Sequence, residues 1–254
     1  MEVHHHPHIE KKSFKEYLLE GLMIFLAVTM GFFAESIREN ITKHEKEHHI
    51  MEMLVEDLKH DTTEITKTIN KILIRINEYD TLKNDIIKAS KEDLSNDEYR
   101  RLYYIYRRYG GSRDQYYPVE RALNLIEKEG FGLIRKQNIS DSILRYKELN
   151  VFRVAEQKDL IFGLQMNTYE FSQKIFDIEL LNEFPDITRA IEILDSNKKF
   201  TLLNKSPALL KEYAFTLFRV RSSMFNFTIF LKQNKESAVR LISQIEKEYH
   251  LKNE

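Results

Sequence analysis

One stretch limits what this chain can become: Gly21 to Ala34, GLMIFLAVTMGFFA, which carries no charge. Alone, those residues fall short of a membrane span. Counting back to Tyr17 gives eighteen residues with Glu20 as the single charge. At about 1.5 Å per residue they cover about 27 Å, close to a hydrocarbon layer of about 30 Å. Phe14 and Tyr17 stand where interfacial aromatics belong, and Lys11, Lys12 and Lys15 where side chains reach headgroups. The expectation is a transmembrane anchor over 14–35.

Two rivals use the same residues. A basic start before an apolar run also fits a cleaved signal peptide. Here only Gly31-Phe32-Phe33-Ala34 approaches a cleavage pattern, and helical spacing continues into Ile37 and Ile41. A core helix of a soluble protein would show a polar face every three to four residues, whereas only Thr29 interrupts Gly21 to Ala34.

Seven glycines and four prolines in 254 residues leave little room for tight turns between strands, and favour long helices. No cysteine excludes disulfides, thiolate metal sites and cysteine nucleophiles. With 39 basic and 40 acidic residues there is no nucleic-acid footprint. The fold class expected is all-α: the anchor continues into a long stalk helix that packs in an antiparallel helical bundle. The divisions are a polar His/Lys tail (1–13), the anchor (14–35), a charged neck (36–50) and the bundle (51–254).

Along the chain, the tail carries His4, His5, His6 and His8, a solvated leader with nothing to orient a metal. The stalk lacks Gly and Pro from Glu35 to Ser90 and places Val55, Leu58, Ile65, Ile69, Ile72, Ile76, Tyr79 and Ile86 in a heptad-like stripe. In that register Thr62 fills one slot and Lys83 spoils another. Ser95 opens a second helix that Gly110-Gly111 ends. Pro118 starts and Gly130 closes a third, and Phe131 with Gly132 makes a compact turn. Ser140-Asp141 caps a long helix from about Asp141 to Leu181, with Ile143, Tyr146, Leu149, Val154, Leu160, Ile161, Leu164, Phe171, Ile175 and Ile178 on its broad apolar stripe. A short helix is read over Asp186 to Leu194 and a loop over Asn197 to Ser206. Ser206-Pro207 then begins a last helix to about Tyr249.

Two patterns invite chemistry. His44-Glu45-Lys46-Glu47-His48 matches the zincin motif, with two histidines on one helix face and a glutamate placed as general base. It sits on a fully charged surface, and no later segment announces a third ligand, since His60 and His250 are isolated. Tyr99, Tyr103, Tyr104, Tyr106 and Tyr109 interleave with Arg100, Arg101, Arg107 and Arg108. Such a helix stacks on bases in some proteins. Tyrosine bodies packed inward with arginine heads in water account for it as well.

Three stretches together resemble an uncharacterised family of single-anchor membrane proteins common in Bacteroidetes: the start through Asn40, ALNLIEKEGFGLIRKQNISDSILRYKEL in the middle, and LISQIEKEYHL near the end. Leu123 to Ile134 is similar to a segment of that family, departing from it at Glu127, Lys128 and Glu129. The resemblance implies a bacterial source and membrane association, and transfers no catalytic residue.

The function expected is a membrane-anchored helical interaction or scaffold module of the bacterial envelope, with no catalysis, cofactor or metal. A helical ligand sensor acting through a partner is the alternative, and a zinc hydrolase using His44, Glu45 and His48 a second. The partners expected are the lipid bilayer, an unidentified protein and a second copy, through the small pair Ala27 and Gly31 four apart on the anchor. Three lysines before the span and Arg38, Lys43 and Lys46 after it nearly balance. The lysines lie nearer, which places the tail in the cytoplasm and the helical domain in the periplasm, on the inner membrane.

Overall fold

Without glycine or proline from Glu35 to Ser90, nothing interrupts the first helix, and α1 runs from Phe14 to Ala89. The computed structural model describes residues 13–109, 116–184 and 198–251. Within them every regular element is helical, so the fold is all-α. After α1 come α2 (Asn96–Tyr109), α3 (Arg121–Glu129), a 3-10 turn (Phe131–Leu133) and α4 (Gln137–Lys147). A π-helical segment (Glu148–Arg153), α5 (Val154–Ser172), α6 (Ile178–Leu181) and α7 (Pro207–Glu248) complete it. The chain forms two compact units that meet in sequence between Ile50 and Met51. The histidine tail, Gly110-Gly111 and the helix read over Asp186 to Leu194 lie outside the described residues.

In the first unit, the Ser13 amide donates to the Glu16 carboxylate at 2.9 Å and closes the first turn of α1. The charged stretch after the apolar run is exposed through Lys46 and again at His49, while Glu47 and Ile50 are buried. Glu47, Ile50, Leu54 and Leu58 recur every three to four residues, so Glu47 belongs to the inward stripe although it is charged. The neck expected over 36–50 is therefore not exposed to its end.

In the second unit the stalk stripe from Val55 to Ile86 is buried at every apolar position named for it. Two slots differ. Between Leu58 and Ile65 the buried residue is Asp61, not Thr62, and between Tyr79 and Ile86 the buried residues are Leu82 and Asp85, with Lys83 half-buried against Asp80 at 2.8 Å. A period of 3.6 lets a stripe step by three or by four, and packing chooses.

Ser95 caps α2 in a full capping box: its hydroxyl receives the Glu98 amide at 3.3 Å, and the Glu98 carboxylate receives the Ser95 amide at 2.9 Å. Pro118 does not start α3, which begins at Arg121 after Glu120. Gly130 does end it, at φ 86°, a backbone region that side chains disfavour.

The single helix expected from Asp141 to Leu181 is several pieces. It begins earlier, at Gln137, so that Ser140 is buried inside α4 rather than capping it. It passes through the π-helical segment and stops at Ser172, and Asp177 caps the short α6 by accepting the Glu179 amide at 2.8 Å. Leu160 and Ile178, expected inward, are exposed. On α5 Val154, Gln165, Thr168 and Ser172 are buried and Ile161, Leu164 and Phe171 are half-buried against the core, so polar side chains share the inward face with the apolar ones expected there.

Helix α7 matches its expected span to within a residue. Leu210, Tyr213, Leu217, Val220, Met224, Phe227, Leu231, Ala238, Leu241 and Ile245 all face the core. Ser206 precedes it without a side-chain cap, and Asn204 receives the Ser206 amide at 2.8 Å. Contacts Lys59–Glu246, Thr66–Lys235 and Asp80–Arg221 show α1 and α7 running antiparallel. The loop before α7 is pinned rather than loose. Tyr103 donates to the Thr201 carbonyl at 2.8 Å and accepts the Asp177 amide at 2.8 Å, and its ring meets Phe176 and Phe200 edge-on.

Candidate functional site

The apolar segment of α1 is long and apolar enough to cross a membrane, with a mean hydropathy of 1.9 over eighteen residues and none of that window buried. Within Gly21–Ala34 the one hydroxyl, on Thr29, donates to the Phe25 carbonyl at 2.8 Å and so needs no water. Ala27 and Gly31 are both exposed, and a Cβ added at Gly31 would meet nothing within 4 Å.

The zincin-like residues do not assemble. His44 and Glu45 are exposed, and the carboxylate of buried Glu47 lies 3.8 Å from His44 Nδ1. Among the described residues no group of three His, Asp or Glu side chains is placed to hold a metal.

On α2 the rings of Tyr99 and Tyr103 are enclosed and present no open face to a base. The arginines are engaged within the chain. Arg101 grips both oxygens of Asp85, at 2.8 and 2.9 Å, and Arg107 donates to the Phe184 carbonyl at 3.2 Å. Arg100 is buried, which departs from the expectation that its head stays in water. It lies 3.3 Å from Asp97 and 5.6 Å from the Phe200 ring centre.

The most concentrated chemistry is a node that sequence reading passed over. Asp57 and Asp61, each 1% exposed, lie four apart on α1 and face the start of α3. Asp57 accepts from Arg121 at 2.6 and 2.9 Å and, on its other oxygen, from the Ala122 amide at 3.0 Å. It thus supplies the cap that Glu120 does not. Asp61 accepts the Val119 amide at 3.0 Å and the Tyr146 hydroxyl at 2.8 Å. The chain of bonds continues, with Asn150 donating to Tyr146 at 3.1 Å and Asn234 donating to Asn150 at 2.5 Å.

The π-helical segment carries Asn150, which is buried in this node. Tyr116 has its hydroxyl beside Asp61 and Tyr146 without hydrogen-bond geometry to either. Burial pushes the Asp61 carboxyl up, against the opposing pull of the Val119 and Tyr146 bonds. Burial also raises Tyr146 well above the ordinary phenol value. The bonds of these groups join α1, α3, α4 and α7, so the node ties the bundle together. The legible signal was Asp61 itself, a charge on the stripe between Leu58 and Ile65.

These features define a class: an all-α helical bundle with one long apolar N-terminal helix and, among the described residues, no catalytic metal cluster. No known protein family, no curated protein and no solved structure matches the chain. The resemblance to Bacteroidetes single-anchor proteins therefore stands on the quoted stretches alone.

Proposed function

We propose that the protein is a membrane-anchored helical module that acts by binding rather than catalysis. The apolar segment of α1 is its anchor, and the bundle of Met51–Glu254 is its binding part. One observation carries the reading: an eighteen-residue window of mean hydropathy 1.9 in which nothing is buried, on a helix that has a well-buried stripe further along. An unburied apolar surface of that length is unstable in water and stable in hydrocarbon. The resemblance and the nearer lysines support a bacterial inner membrane with the bundle in the periplasm.

The test is fractionation of the full chain after expression in a bacterium. Recovery with membranes that resist carbonate extraction is the expected result. Full-length protein in the soluble fraction without detergent would overturn the anchor. A reporter active only in the cytoplasm, fused after Glu254, is expected to be silent.

A further inference from the structure

Between the last turn of α2 and the short α6 lies a cavity of about 310 Å³. Tyr106 and Arg107 line it from α2, and Ile178, Leu181, Asn182 and Phe184 from α6 and the residues after it. That volume is at the small end for ligand sites, enough for a small molecule and too little for a peptide. The walls are held from behind. The Tyr106 ring stacks on Phe176 with 4.1 Å between centres, and its hydroxyl bonds that of Ser172 at 2.8 Å. Phe184 is buried, and its carbonyl receives Arg107 Nε at 3.2 Å. This bond fixes the guanidinium by one nitrogen and leaves both Nη groups, which have no partner among the described residues. Arg101, one turn and a half earlier, is by contrast spent on Asp85. The Asn182 side-chain amide also makes no bond among the described residues. Beside these donors stands an apolar wall, half-buried Leu181 and Ile178, the latter 68% exposed.

We propose that this cavity binds a small apolar carboxylate, a short-chain or aryl acid. Its carboxylate lies on the Nη groups of Arg107 and the amide of Asn182, and its apolar part against Ile178, Leu181 and the Tyr106 ring. A guanidinium fork matches a planar carboxylate with two parallel bonds, and charge makes those bonds the strong kind. An inorganic anion would leave Ile178 and Leu181 facing water. Nearby acids do little to oppose the ligand: Glu183 is paired with Lys198 at 2.5 Å, and Asp177 receives the Glu179 amide, leaving Glu179 itself. The inference goes beyond an anchored binding module, because it names a small ligand within the bundle and holds with or without the anchor.

The probe is hexanoate at neutral pH, titrated calorimetrically into the full chain in mild detergent, with detergent alone as the blank. Saturable binding at one site per chain is expected. Hexanamide, with the same chain and no charge, is expected to bind about tenfold more weakly or less. Arg107→Met is expected to weaken hexanoate binding by a similar factor. That change also removes the bond to Phe184, so Ile178→Asp is the second variant. At an exposed position it sets a carboxylate beside the bound one, and it is expected to abolish binding while thermal unfolding stays unchanged. Equal affinity for hexanoate and hexanamide, or an Arg107→Met chain that binds as before, would overturn the guanidinium as the group that reads the ligand. No saturable heat in the millimolar range, or binding that Ile178→Asp leaves intact, would overturn the cavity as the site. The comparison of the two probes uses the unaltered chain and stands whatever the variants do. Calorimetry is read in detergent whether or not the chain fractionates with membranes, so failure of the anchor and failure of this site give different results.

Discussion

Leu26 and Leu58 lie on one helix and are the same residue, yet Leu26 is 48% exposed and Leu58 1%. Around Leu58 apolar residues keep to one stripe, and α7 runs antiparallel alongside, as the Lys59–Glu246 pair shows. Around Leu26 they occupy every side of the helix, and none of the described residues buries that window. A stripe asks for a protein partner, whereas an all-round apolar surface asks for a solvent. The contrast teaches that α1 is one element by backbone and two by surface chemistry. The polar groups agree. Thr29 satisfies itself against its own helix, while Asp57 and Asp61 are satisfied by amides and hydroxyls from distant segments.

The sharpest way to break this comparison is to truncate one large side chain in each region of the full chain in detergent. Phe227→Ala, in the bundle core, is expected to cost about 3–5 kcal/mol through the cavity it leaves. Phe25→Ala, in the apolar segment, is expected to leave the bundle's urea midpoint unchanged. A comparable loss from Phe25→Ala would mean that the segment packs against protein.

Next comes the acid response of the buried node. Burial raises Asp61, so the folded chain holds that proton more tightly than the unfolded one. Its contribution to stability is full below the ordinary carboxylate value and is lost as pH rises through the raised folded value. Replacing Asp61 by Asn is therefore expected to flatten the fall in stability as pH rises above the ordinary carboxylate value, relative to the parent chain. Parallel pH profiles of urea unfolding for the two chains would remove Asp61 as a titrating member of the node.

The smallest effect separates two serines that look alike in sequence. Ser95→Ala breaks a capping box and is expected to cost about 1 kcal/mol. Ser206→Ala removes a hydroxyl that makes no cap bond and is expected to cost no more than a few tenths of that scale. Equal losses in thermal unfolding would show that the geometry at Ser206 changes in solution.

Much of the architecture was legible before any coordinate. The stalk stripe and the inward face of α7 follow from apolar spacing, and the capping of α2 from Ser95 with acids behind it. The break of the fourth expected helix was not. Ser140-Asp141 looks like a cap, but its neighbours Ile139 and Ile143 bury the turn and carry the helix back to Gln137. The node of Asp57, Asp61, Tyr146, Asn150 and Asn234 was equally hidden, since bonded partners in it lie 84 and 85 positions apart. Periodicity reports which face is apolar, but not which polar groups meet across a fold.

By itself the sequence determined what depends on neighbours along the chain: helices in place of strands, an apolar segment long enough for a bilayer, and the absence of thiol chemistry. Local spacing and composition settle these, because they concern single elements and their solvent. Tertiary structure alone decided that Asp61, not Thr62, fills the slot on the stripe, that a carboxylate from α1 caps α3, and that Gln165, Thr168 and Ser172 join the inward face of α5. A buried charge is tolerated only where distant donors converge on it, and that convergence exists only once the chain has folded.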